Sequence, residues 1–267
     1  MIKLAVFGSA GRMGQAVIRA SLRFPDIRLA AAVEAAECPA LGRDAGVPAG
    51  IGEIGIKIDA DALNALKAAD AAVDFSAPGA AAEHARLAAE CRKPMVIGTT
   101  GLDDGQAAIV RTAALTIPLV WSANMSLGMN LLFSLVRQAA RNLEHYDIEI
   151  IETHHRHKKD SPSGSALRLA QAAAEGAGLD LKASAVYGRR GLSGGRPEAQ
   201  IGIHSVRGGD VVGDHTVIFA EDGERIELTH RASSRECFAS GALKAAAWAA
   251  AQPAGLYSMQ DVLGLKD

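Results

Sequence analysis

Six consecutive residues, His154-His155-Arg156-His157-Lys158-Lys159, set three imidazoles among three cations. Imidazole changes charge near neutral pH, and a lysine ammonium is a ready proton donor, so the group suits acid–base chemistry. Ser163-Gly164-Ser165 follows shortly, at the start of a helix expected over 165–176. The first N–H groups of a helix have no partner within it and can take up a carboxylate. Imidazoles and an ammonium beside such an end make a pocket for a small dianion, while Arg156 and Lys159 taken alone read as a solvated face. A metal fits poorly. Adjacent histidines on an extended strand point to opposite faces, the HExxH spacing is missing and no cysteine is near, and the neighbouring cations repel a dication. No metal is expected, and a metal-dependent hydrolase or lyase is the weaker alternative.

A second cluster lies near the N-terminus. Gly8-Ser9-Ala10-Gly11-Arg12-Met13-Gly14 follows an apolar strand over 2–7 and opens a helix over 12–24. Glycines there permit a tight turn and a close backbone approach to a pyrophosphate, which the helix N-terminus then faces. The spacing is GxxGxxG, looser than GxGxxG, and alone it describes any tight strand-to-helix turn. Glu34 strengthens the reading, because it closes the second strand twenty residues after Gly14, where a carboxylate meets the adenosine ribose hydroxyls. Gly98-Thr99-Thr100 and Ser122-Ala123-Asn124-Met125 follow two later strands. Ligands of open α/β sheets bind at the carboxyl ends of strands, so these loops are expected to line the nicotinamide. Glu34 is followed by Ala35, Ala36 and Glu37, with no cation to receive a 2′-phosphate. NADH is therefore expected to serve at least as well as NADPH, with Arg12 the one guanidinium nearby. A dinucleotide sensor without turnover is a further alternative, against which His154 and Lys158 argue.

The elements that must position these residues follow two grammars. Up to about residue 125, apolar runs (2–7, 27–33, 71–75, 95–97, 117–121) alternate with alanine-rich helical stretches (12–24, 60–69, 79–91, 103–115). Strands joined by helical crossovers predict a doubly wound parallel sheet, the Rossmann type of α/β fold. Residues 38–58 are rich in Gly and Pro and periodic in neither register, so they read as loop with at most a short hairpin. Beyond Asn124, a helix over 127–143 and a strand over 147–153 lead into the histidine–lysine loop. After one more helix come extended runs over 184–187, 201–207, 211–220 and 225–231. This order predicts a second, α+β domain with an antiparallel or mixed sheet. A helix over 238–251 returns to the first pattern. The expected division is a dinucleotide-binding domain, 1–125 with 236–267, and a substrate-binding and oligomerisation domain, 126–235.

Composition excludes several classes. With 49% hydrophobic and 22% charged residues and a net charge of −2, nothing draws the chain to nucleic acid or an anionic membrane. Aromatics at 4% leave little for a base-stacking surface. No run approaches the ~18 apolar residues of a membrane span, and the start MIKLAVFGSAGRMG lacks a signal-peptide pattern. Cys38, Cys91 and Cys237 are widely spaced, as suits reduced thiols in a cytoplasmic protein.

The run EIIETHHRHKKDSPSGSAL resembles the signature loop of the 4-hydroxy-tetrahydrodipicolinate reductase family, E-x-H-H-x-x-K-x-D-x-P-S-G-[TS]-A. The glycine turn ending GRMG, the GTT loop, the SANMS loop and GDVVGDHT (Gly209–Thr216) are similar too, in family order. The resemblance spans essentially the whole chain. It implies NAD(P)H-dependent reduction of 4-hydroxy-tetrahydrodipicolinate with loss of water, in lysine and diaminopimelate biosynthesis. It also implies a Rossmann domain completed by the C-terminal segment, a tetramerising substrate domain and no metal. By it, His154 is the proton donor/acceptor and Lys158 the proton donor, while His155, Gly164 and Ser165 hold the carboxylates of a small cyclic substrate. Gly8, Ser9, Ala10, Gly11, Arg12, Met13, Glu34, Gly98, Thr99, Thr100, Ser122, Ala123, Asn124 and Met125 contact the dinucleotide. Position 165 is Ser where many members have Thr, which keeps the hydroxyl; position 35 is Ala where NADPH-using relatives often have Arg.

Overall fold

A computed structural model describes residues 1–265, so the end of the expected 236–267 segment lies outside the described residues. The chain forms two compact units, Met1–Leu127 with the chain from Arg235 on, and Gly128–Ser234. The first holds β1 (Ile2–Phe7), β2 (Ile27–Val33), β3 (Ile58–Asp59), β4 (Ala71–Asp74), β5 (Met95–Ile97) and β6 (Pro118–Trp121). A further strand, Gly255–Tyr257, pairs beside β6. The strand order is Gly255–Tyr257, β6, β5, β4, β1, β2, β3, and every pairing is parallel. This is the expected doubly wound sheet. The chain runs outward from β1 to β3, then returns to the other side of β1 at β4, and that reversal opens a crevice at the carboxyl ends of β1 and β4. Helices Arg12–Ser21 and Glu236–Ala249 cover one face around Leu4, Val6, Val17 and Leu243. The helices Pro78–Glu90 and Asp104–Ala113 cover the other around Phe7, Ala85, Ile97 and Val110.

Three local differences from the sequence expectation have physical causes. The first helix stops at Ser21 rather than 24. The N–H groups of Leu22, Arg23 and Phe24 turn back to carbonyls three residues earlier, a tightening imposed before Pro25, whose ring disfavours helical Phe24. The 38–58 stretch is more ordered than a loop, with a short helix at Gly46–Ala49 and with β3 beginning at its end. Asp44 organises it by accepting from the N–H groups of Gly46, Ile54 and Gly55, a device that leaves no periodicity in the sequence. The Gly255–Tyr257 strand was not expected, being three residues long in a run without alternation.

In the second unit a mixed five-stranded sheet runs in the order β11 (Glu224–Ala232), β10 (Gly213–Glu221), β7 (Asp147–His154), β9 (Ile201–Arg207), β8 (Ala185–Tyr187). Pairs β10–β11 and β10–β7 are antiparallel, and β7–β9 and β8–β9 are parallel. Phe133 and Val136 from the Leu127–Asn142 helix, with Leu169 and Ala173 from the Gly164–Ala177 helix, pack on Ile150, Ile203, Val217 and Phe219. Among the described residues no helix is long and apolar enough to cross a membrane.

Candidate active site

Strand β7 alternates strictly, with Ile148, Ile150, Glu152 and His154 turned inward and buried. A period of two thus carries a carboxylate and an imidazole onto the face that Ile148 and Ile150 anchor in the core. His154 Nδ1 lies 2.5 Å from Glu152 Oε2. Glu152, with no exposed surface, also accepts a two-pronged pair from Arg207 at 2.8 and 2.9 Å and the Ser163 N–H at 3.1 Å. Arg207 is aligned with His154 at the end of β9, so sheet register sets this geometry. The carboxylate therefore ties together β7, β9 and the cap of the Gly164–Ala177 helix.

The other imidazole of the cluster is His215 on β10, edge-on to His154 with ring centroids 5.2 Å apart. Ser163 Oγ accepts from the Ala166 N–H and is hydrogen-bonded to His215 Nε2 at 3.1 Å. A Cβ at Gly213 would come within 2.9 Å of His154 Nε2. Glycine at 213 therefore keeps that nitrogen accessible. Lys158 Nζ pairs with Asp160 Oδ2 at 2.9 Å, and the Asp160 carbonyl accepts from Arg207. His155 is anchored through its N–H to the Val211 carbonyl at 2.7 Å, and its buried Nδ1 has no hydrogen-bond partner. Gly164 and Ser165 open the helix that Ser163 caps. The five candidate residues of this unit thus share one strand end, one loop and one helix start. Among the described residues no group of three or more His, Cys, Asp or Glu is arranged to hold a metal ion.

Sequence reasoning missed Glu152, Arg207, His215 and Asp160. Glu152 was legible, since it lies two residues before His154 on the face marked by Ile148 and Ile150. Arg207 and His215 come from strands whose register no short motif reports.

Electrostatics follow from burial and these bonds. Burial raises the pKa of Glu152, but hydrogen bonds from Arg207 and His154 outweigh it and bring the carboxyl from 4.5 to about 2. Glu149 behaves alike, burial being outweighed by Arg189, His204 and Arg196, and it also falls to about 2. Burial lowers His154, and Glu152 offsets that only in part. Burial and the neighbouring His154 push His215 down from 6.5 to about 4. A depressed carboxylate stabilises the fold above its unfolded pKa, and that contribution is lost as pH falls through the folded one. A histidine held neutral acts in the same direction, because the unfolded chain takes up its proton first. Equilibrium unfolding is thus expected to show stability declining below about pH 6.5, the ordinary histidine value, and then more steeply from 4.5 towards 2 as Glu149 and Glu152 protonate. A flat stability between pH 6.5 and 4 would contradict the reading of His215.

In the first unit the glycine turn follows β1. Gly8 has φ +72°, and a Cβ there would lie 2.5 Å from the Phe75 carbonyl oxygen. A Cβ on Gly14 would meet the Gly8 carbonyl oxygen at 2.1 Å, so the Arg12–Ser21 helix can begin against the turn only with glycine at 14. Gly11 caps that helix without a side-chain acceptor. Ser9 Oγ is buried with no partner. Glu34 accepts the Ala10 N–H at 2.8 Å, bracing the turn from the end of β2, while Ala10 and Met13 are half-buried and Arg12 exposed. The Gly98–Thr100 loop and the Ser122–Met125 loop leave the ends of β5 and β6. Ser122 Oγ donates to the Asn124 carbonyl and Asn124 Oδ1 accepts from Ser126 N–H, which shapes the second loop, with Ala123 exposed and Met125 buried. An uncapped helix start, an orphaned hydroxyl and a cradle that a Cβ would fill fit a dinucleotide.

The family model for the N-terminus of dihydrodipicolinate reductase matches residues 2–125, and that for its C-terminus matches 128–263. A relative from Anaeromyxobacter dehalogenans, named 4-hydroxy-tetrahydrodipicolinate reductase, is 49% identical over all of this chain and 99% of its own length. One of the same name from Halorhodospira halophila is 50% identical over 98% of both chains. The dipicolinate-bound dihydrodipicolinate reductase of Paenisporosarcina sp. TG-14 shares the fold, with a TM-score of 0.76 at 24% identity over 98% of each chain. Fold and relatives together define an oxidoreductase with a Rossmann sheet and a second, mixed-sheet unit. The chain belongs to the dihydrodipicolinate reductase family, as the resemblance of its histidine–lysine loop implied.

Proposed function

We propose that this chain reduces 4-hydroxy-tetrahydrodipicolinate to tetrahydrodipicolinate with loss of water, in lysine and diaminopimelate biosynthesis. Relatives at about half identity over full length carry that activity in their names. The observation that carries the reading is the end of β7, where a buried carboxylate orients His154 beside a loop that presents Lys158. A reduced nicotinamide dinucleotide, held by the glycine turn (Gly8–Met13), Glu34, the Gly98–Thr100 loop and the Ser122–Met125 loop, supplies the hydride when bound. Lys158 gives the accompanying proton, its ammonium being held on the loop by Asp160. His154, whose pKa burial lowers, is mainly neutral there and exchanges protons through Nε2, its Nδ1 being committed to Glu152. His155, with its unpartnered Nδ1, and the first-turn N–H groups of Gly164 and Ser165 hold the two substrate carboxylates. The test is absorbance of the reduced nicotinamide after addition of freshly generated substrate. Oxidation that depends on substrate is expected, and none with either NADH or NADPH would overturn the proposal.

For the cofactor, NADH is expected to give a kcat/KM at least equal to that of NADPH. The stretch after β2 presents Glu34 and then the exposed Ala35 and Ala36, with no cation for a 2′-phosphate. Ala35→Arg is expected to shift the ratio towards NADPH by about 1–3 kcal/mol, the scale of a charge-assisted hydrogen bond. Comparing both cofactors at one salt concentration checks this; a strong NADPH preference in the unmodified protein would mean that Arg12 or Arg43 supplies the missing cation.

A homotetramer built through the second unit is the proposed assembly. Ile151 and Val206 are exposed on the sheet face opposite the helices, and β11 is a nine-residue edge, a surface that association would cover. Light scattering showing a monomer at micromolar concentration would contradict it. We place the protein in the cytoplasm, which its three free cysteines suit.

A further inference from the structure

Asp74, at the end of β4, is a carboxylate with no exposed surface. Its Oδ1 accepts from the Ser76 N–H at 2.9 Å, from Ser76 Oγ at 2.8 Å and from Thr99 Oγ1 at 2.7 Å. Its Oδ2 meets His84 Nδ1 at 2.7 Å. The His84 ring rests against Phe7 of β1 at 4.3 Å between centroids. One carboxylate thus joins β4, the Pro78–Glu90 helix and the loop after β5. The next residue extends the tie, for the Phe75 carbonyl lies under Gly8 and the Phe75 ring lies under Gly98, where a Cβ would stand 2.1 Å from a ring carbon.

An apolar side chain would hold β4 in an alanine- and valine-lined interior without the cost of burying a charge. Retention of a fully bonded carboxylate there points to a task that its bonds perform. We propose that Asp74 is a positioning residue for the nicotinamide half of the dinucleotide, fixing the Gly98–Thr100 loop against the glycine turn through Thr99 and Phe75. This rests on the dinucleotide reading above. It also reassigns Thr99, whose hydroxyl is committed to Asp74, so that Thr99 serves the cofactor through its backbone and Thr100, which is exposed, is the member with a hydroxyl to offer.

The test compares binding of NADH with that of ADP-ribose, which lacks the nicotinamide, to the full-length protein by calorimetry, with melting temperature recorded alongside. Thr99→Val, which keeps the shape and removes the hydroxyl, and Asp74→Asn are each expected to weaken NADH by about tenfold or more while leaving ADP-ribose unchanged. Thr99→Ser, which keeps the hydroxyl, is expected to bind NADH as the unmodified protein does. Equal loss for both ligands, or a lowered melting temperature with an unchanged NADH to ADP-ribose ratio, would show a merely structural role and overturn the inference. If the unmodified protein binds neither ligand, the dinucleotide reading fails and this inference fails with it.

Discussion

Replacing Lys158 with alanine is expected to lower kcat by about 10²–10⁴-fold with a much smaller change in KM. A proton donor contributes mainly in the transition state, so its loss is felt in turnover rather than in substrate affinity. In the role proposed for it, Lys158 is held by a short-range scaffold. Its N–H bonds back to the His155 carbonyl, and its Nζ pairs with Asp160, whose own carbonyl is held by Arg207. Lys158→Arg is expected to restore little, because a guanidinium keeps the charge but does not release its proton. His154→Ala is expected to lower kcat on a similar scale. Steady-state kinetics of the three variants decide the matter, and near-normal kcat in both alanine variants would remove the two residues from the chemistry.

The second large effect is expected at Glu152. Glu152→Gln keeps the size of the side chain and removes its charge. It leaves Arg207 without its two-pronged partner and sets an amide group against donors on Arg207, His154 and Ser163. Breaking a buried pair costs about 3–5 kcal/mol, and the lower end applies because the Arg207 side chain is 21% exposed. Activity is expected to fall as well, by at least about 10²-fold, since His154 loses the partner that fixes its tautomer and ring orientation. Glu152 raises the His154 pKa against the effect of burial, so the limb of the pH–rate profile that belongs to His154 is expected to move to lower pH in the variant. Chemical denaturation and a pH–rate profile test both halves. A stable variant with an unmoved limb would show that Glu152 does not govern His154.

Much of this was legible in the sequence, for identifiable reasons. Parallel strands of a covered sheet read as apolar runs, and β1, β2 and β5 were found at their full bounds. The histidine–lysine loop was found because its chemistry is contiguous in the chain. Contacts set by register were not found. Arg207 reaches Glu152 from 55 residues away, and Thr99 reaches Asp74 from 25; each pairing exists only once neighbouring strands are aligned. Asp74 read as one more strand residue of the 71–75 run, although an acid ending an otherwise apolar strand was a signal of its kind. Within 38–58 the short antiparallel pairing of Asp44 with Lys57 suits the hairpin allowed for. The helix and the further order there were missed for a different reason, since they rest on one carboxylate, Asp44, that bonds backbone rather than on any repeating pattern.

The central claim is that hydride from a reduced nicotinamide cofactor enters a cyclic dicarboxylate in a reaction that needs the proton proposed for Lys158. Mass spectrometry of the product formed with NADH deuterated at the reactive C4 position tests it most directly. One deuterium in each product molecule, one NADH consumed per product and labelled product formed about 10²–10⁴-fold more slowly by Lys158→Ala are the results expected. Consumption of NADH without deuterium in the product, or labelled product formed at an undiminished rate by Lys158→Ala, would contradict it.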